Sequence, residues 1–86
     1  MIYRAKFHSR IKKQAKKLHP KDQKRFFKAI DQLRKNPFSE KLDIKKLGGT
    51  YSGWRLRAGD FRILYSLDKT RKVIYVWEVG YRGSIY

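Results

Sequence analysis

Residues 54–65, WRLRAGDFRILY, decide the fold. They read as two short strands joined by a tight turn at Ala58-Gly59-Asp60. Each strand alternates, as a half-buried strand does. Trp54 and Leu56 point one way and Arg55 and Arg57 the other. On the second strand Phe61, Ile63 and Tyr65 share a face, with Arg62, Leu64 and Ser66 opposite. A sheet with one wet face places its apolar residues inward and its polar ones outward. Three arginines on the outer side of one hairpin then have two readings. They are a solvated edge whose charge discourages strand addition, or a phosphate-binding surface on a rigid scaffold.

Before the hairpin, IYRAKF at residues 2–7 alternates and is expected to form a first strand. Ser9 is placed to cap a helix. From Arg10 to Leu18, Ile11, Ala15 and Leu18 recur at helical spacing among basic residues, which predicts a basic amphipathic helix. Its charges are either a solvated face or a contact for an RNA backbone. His19-Pro20 breaks the chain, and Pro20 suits the first position of a second helix with Asp22 in its first turn. Phe26, Phe27, Ile30 and Leu33 form the stripe that this helix turns toward the core, and Asn36-Pro37 ends it. Residues 38–51, FSEKLDIKKLGGTY, are expected to be a linker pinned by Leu42, Ile44 and Leu47, with Gly48-Gly49 as a corner. After the hairpin and a turn at Asp68-Lys69-Thr70, KVIYVWEV at residues 72–79 is apolar on both faces, as a central strand is. Gly80 stops it. The expected class is α+β: an N-terminal strand, then a two-helix hairpin packed on a mainly antiparallel four-stranded sheet, in the order β-α-α-β-β-β.

The 86 residues allow one domain, spanning 1–86, and 41% hydrophobic residues are enough for a modest core. Lys and Arg number 23 against seven Asp and Glu, a net charge of +16. Such a field gathers polyanions, nucleic acid above all, although an acidic protein or an anionic membrane surface carries the same sign. The absence of cysteine excludes a disulfide framework and a thiolate metal site. No apolar run reaches the length of a membrane span, so a cytoplasmic location with no membrane contact is expected.

The chemistry available is narrow. His8 and His19 are the only histidines, so no metal and no cofactor are expected. The acids are scattered, and Glu78 on its apolar strand is expected to pair with a groove arginine. What remains is arginine and tyrosine. That pair suits transfer at a phosphodiester that carries its own nucleophile, as the 2′-hydroxyl of RNA does. Positioning and charge stabilisation supply most of such catalysis. Guanidinium forks hold phosphate oxygens bidentately, and tyrosines stack on unpaired bases.

Together, WRLRAGDFRILY, KLGG at residues 46–49 and VGYRGSIY at residues 79–86 resemble the RelE/ParE toxin superfamily, and the element order matches over nearly the whole chain. The resemblance implies a type II toxin–antitoxin toxin, a ribosome-dependent endoribonuclease that cleaves mRNA in the A site and is blocked by a cognate antitoxin. On this resemblance the catalytic residues are Arg57, Arg62, Arg82 and Tyr86, and the RNA contacts are Lys46, Arg55, Arg57 and Tyr81. Arg62 and Arg82 fall to the scissile phosphate, and Tyr86 to a nucleotide base or a proton. RelE carries lysines where this chain has Arg55 and Arg57, and arginine does not give up its proton. The base is then Tyr86 or a water, or catalysis rests on electrostatics alone. ParE-like members act on DNA gyrase instead, so a gyrase inhibitor without nuclease activity, or an inactive RNA-binding relative, are the alternatives.

Overall fold

The hairpin is formed by β3 (Trp54–Ala58) and β4 (Phe61–Asp68), with Ala58 opposite Phe61 and Gly59-Asp60 as the connecting loop. The structure, a computed structural model, describes residues 2–48 and 53–81. Gly59 has φ +61° and Asp60 has a negative φ, so the glycine stands at the position that a type II′ hairpin turn reserves for it. A Cβ on Gly59 would meet Arg25 Nη1 at 3.0 Å, the end of a flexible arm, so backbone strain dominates the cost of adding one. Gly59→Ala is expected to lower stability by about 1–2 kcal/mol. Thermal melting checks this, and an unchanged midpoint would count against the turn assignment.

Around the hairpin the described residues form a five-stranded sheet in the order β1-β5-β4-β3-β2. β1 (Arg4–Phe7) runs parallel to β5 (Val73–Tyr81), and the other pairs are antiparallel. The added strand is β2 (Asp43–Lys46), which lies inside the stretch expected to be a linker and extends the expected four strands to five. Its sequence hides it. It is four residues long at a sheet edge, and Ile44, opposite Leu56, is its one apolar side chain. Charged, short edge strands deter further pairing.

β5 carries a bulge. Leu64 pairs with Glu78 and Tyr65 with Val76, which leaves Trp77 as the extra residue. The core side chains of β5 are therefore Ile74 and Val76 before the bulge, then Val79 and Tyr81 after it. In a regular strand the residues following Ile74 and Val76 on that face would be Glu78 and Gly80. The bulge turns both of these outward. It also explains why the segment reads as apolar on both faces, since its inward phase changes midway.

Two helices cover the inner face. α1 (Arg10–Lys16) buries Ile11, and α2 (Pro20–Lys35) buries Phe26, Ala29, Ile30 and Leu33. Phe27 departs from the expected stripe: it is 65% exposed. The inward face follows 26, 29, 30 and 33, the spacing of one helical stripe, and Phe27 lies a full residue step away. Its ring meets Phe26 edge-on, with centroids 5.4 Å apart, at an open apolar groove shared with Phe7. Ser9 stands at the N-cap of α1 without a side-chain cap bond. His8 Nδ1 accepts the Arg10 N–H at 3.1 Å instead. β1 pairs with β5 only as far as Val76, and α1 takes over from there: Gln14 Oε1 accepts the Val79 N–H at 2.9 Å. That bond occupies a donor that an open edge would leave unpaired. Among the described residues no helix is long and apolar enough to cross a membrane.

Candidate functional site

Cross-strand partners share a face, so the register assigns each arginine. One row across the outer face is Asp43, Arg57, Arg62 and Gly80. The next is Lys45, Arg55, Leu64 and Glu78. Arg57 and Arg62 are thus direct neighbours. Two like charges set opposite each other destabilise a sheet, and an anion held between them reverses that cost. Gly80 follows Arg62 in the row and carries no side chain. A cavity of about 320 Å³ lies here, lined by Arg57, Gly59, Asp60, Phe61, Arg62 and Tyr81. β5 ends at its wall with Tyr81. Arg82 and Tyr86, expected at the same place, lie outside the described residues.

Two other expected site residues, Arg55 and Lys46, lie away from this cavity. Arg55 is in the adjacent row, its side chain 12% exposed and its Nη2 3.1 Å from Asp43 Oδ1. Its charge is largely spent within the sheet. Lys46 pairs with Trp54, in the row of Tyr65 and Val76. That row faces the helices, so Lys46 is exposed on the side of the sheet away from Arg57 and Arg62. Tyr81 does line the cavity, but its hydroxyl turns toward the helices. Its hydroxyl donates to Asp22 Oδ2 and accepts the His19 N–H, both at 2.9 Å. Burial raises the Tyr81 pKa, Asp22 adds to the rise, and the His19 bond opposes it. Tyr81 therefore stays a protonated phenol at neutral pH, a structural donor rather than a base. Glu78 pairs with Arg10 of α1 at 3.5 Å rather than with a sheet arginine.

Asp22 was not legible as part of this region. An acid in the first turn of a helix reads as a dipole partner. Here it is 3% exposed and ties the start of α2 to the end of β5, with Arg25 Nη1 at 3.6 Å from its other oxygen. Asp22→Ala leaves the Tyr81 hydroxyl without its acceptor, and a loss of about 2 kcal/mol is expected. Urea unfolding of Asp22→Ala, Tyr81→Phe and the double variant checks it. The double variant should cost less than the sum by roughly 1 kcal/mol, whereas strict additivity would mean that the bond contributes nothing.

Comparison with known proteins bears on this geometry. The family described as the ParE toxin of type II toxin–antitoxin systems (parDE) matches residues 1–86. The chain belongs to the RelE/ParE toxin superfamily. A Methanocaldococcus jannaschii protein carrying the name toxin RelE1 is 33% identical, with 100% of this chain and 97% of that protein covered. The archaeal RelE–RelB complex of Pyrococcus horikoshii contains a chain 36% identical, with TM-score 0.84 over 98% of this chain and 99% of that one. The RelB–RelE antitoxin–toxin complex of Methanococcus jannaschii gives 28% identity and TM-score 0.76 over 93% of each chain. The chain is a RelE-like toxin of the type II class, and its α+β sheet with two covering helices is the fold of these RelE structures.

Proposed function

We propose that residues 1–86 act as one RelE-like toxin domain that cleaves mRNA in the ribosomal A site, in the cytoplasm. The observation that carries this reading is the Arg57–Arg62 cross-strand pair, which faces a cavity at the end of β5. Two guanidinium groups on neighbouring strands suit a phosphodiester, whose non-bridging oxygens accept bidentate hydrogen bonds. In this mechanism the 2′-oxygen of the substrate forms a bond to phosphorus while the bond from phosphorus to the 5′-oxygen breaks. The proton of the 2′-hydroxyl is lost and the leaving 5′-oxygen gains one, so the products are a cyclic phosphate and a 5′-hydroxyl end. Arg62, with Arg82 next along the chain from Tyr81, stabilises the charge gathering on the phosphoryl oxygens. Arg57 orients the phosphate. Tyr86 stacks on or orients a nucleotide, or takes part in proton transfer, since arginine does not act as a base.

A cognate antitoxin is the second proposed partner. RelE chains similar to this one are known in complex with RelB, and an acidic antitoxin segment complements a chain of net charge +16. The ParE description of the matching family favours a second reading, a gyrase inhibitor without nuclease activity. Primer extension on a reporter mRNA after induction separates the two. Cuts within translated codons that vanish in Arg62→Ala/Arg82→Ala support the nuclease. Growth arrest with intact mRNA, retained in that double variant, would overturn it in favour of gyrase.

A further inference from the structure

A second cavity, of about 510 Å³, runs between α2 and the edge formed by β2 and β3. Its walls include Arg25, Lys28, Lys41 and Arg57, with Asp43 as the one acid. The Asp43 carboxylate is already held by Arg55 at 3.1 Å. Arg25 keeps a long ion pair with Asp22 and stays 55% exposed at its side chain. Lys28 and Lys41 are exposed and make no ion pair among the described residues. Both cavities have Arg57 and Gly59 in their walls. Gly59 puts no side chain at the junction, where a Cβ would press on Arg25 at 3.0 Å.

We infer that these two cavities form one track, and that the groove of Lys28 and Lys41 holds the phosphate backbone of the same RNA strand beyond the scissile phosphate. The inference rests on the nuclease reading and extends it to a further substrate subsite. Continuity through Arg57 favours a strand already anchored at the Arg57–Arg62 cavity. No aromatic ring lines the second groove. It therefore lacks the stacking surface that single-strand sites use to hold bases, and its contacts act on backbone charge without reading sequence.

The test compares the full chain with Lys28→Gln/Lys41→Gln, using a dinucleotide and an oligoribonucleotide of about twelve nucleotides, long enough for a typical single-strand site. Binding is followed by fluorescence anisotropy across a salt series. Each lost phosphate contact on a single strand removes about 0.7 from the slope of log affinity against log salt. The expected result is a slope shallower by roughly 1.4 for the longer RNA, with dinucleotide binding and the melting midpoint unchanged. An unchanged slope in this variant, with a reduced slope in Arg57→Gln/Arg62→Gln, would overturn the track and leave the nuclease reading standing. Unchanged RNA binding in both variants would overturn the track and the nuclease reading together. Weakened binding of an acidic peptide with unaltered RNA binding would also overturn it, and would assign the groove to a protein partner.

Discussion

Arg62→Ala is expected to slow mRNA cleavage by about 10²–10³-fold, the loss typical of removing one donor from a site that stabilises developing anionic charge. Arg62 stands between Arg57 and Gly80 in one cross-strand row, so a phosphate seated beside it has a second cation on one side and a residue without a side chain on the other. Arg57→Ala should cost less, because Arg57 is the more exposed of the two and water screens its charge more fully. Arg62→Lys keeps the charge but loses the planar fork, so partial recovery is expected. Single-turnover cleavage on programmed ribosomes reads these rates directly. A structural role for Arg62 predicts something else: Arg62→Lys as inactive as Arg62→Ala, with both melting early. Equal rates in wild type and Arg62→Ala would remove this residue from the mechanism.

Phe26→Ala carries the largest expected effect on stability, a loss of about 3–5 kcal/mol. Its ring is 1% exposed and lies in the core between α2 and the sheet, with Phe7 and Phe27 as ring neighbours. Small domains have total stabilities of only about 5–15 kcal/mol, so this single change removes a large fraction. A fall of more than 12 °C in the melting midpoint follows, at roughly 4 °C or more per kcal/mol for a domain of this size. Phe27→Ala is the internal control. The same side chain one residue later is 65% exposed, and its removal should move the midpoint by only a small part of that amount. Comparable losses at both positions would mean that the inward face of α2 is misassigned.

The contrast between these two phenylalanines shows what the sequence could reveal. Alternation in residues 54–65 is a short-range signal, and strand, turn and strand stand where it placed them. Pro20 and Asn36 marked the ends of α2 because both act on their own backbone. The features that were missed depend on partners far away in the chain. Phe27 and Phe26 look alike until the sheet sets which side is inward. β2 could not be seen in a segment with one apolar residue, because its strand character comes from pairing with β3. The outer-face rows follow the same rule. Arg55 and Arg57 are two residues apart and look equivalent, yet Asp43 engages one and Arg62 lies directly beside the other. Lys46 belongs to the site on the resemblance alone, and only the register shows it on the reverse side of the sheet. Asp22 gave no sign, since its partner Tyr81 is 59 positions later. Gly49 of the corner, with Arg82 and Tyr86, lies outside the described residues.

The extra residue at Trp77 has a consequence for how this protein can change. It works as a frame shift within a single strand: upstream and downstream halves of β5 are read in opposite phase. Removing Trp77 itself would leave Val76 opposite Tyr65 and Glu78 opposite Leu64, and the strand would run on regularly with the same residues inward and outward. Flattening the bulge with Trp77 still present would instead swing a carboxylate into the hydrocarbon interior and take the glycine away from Arg62 in the same step. Packing and chemistry thus depend on the bulge absorbing Trp77, not on the total count of residues. Trp77 is a place in β5 where a residue can be lost without turning any neighbour to the other face.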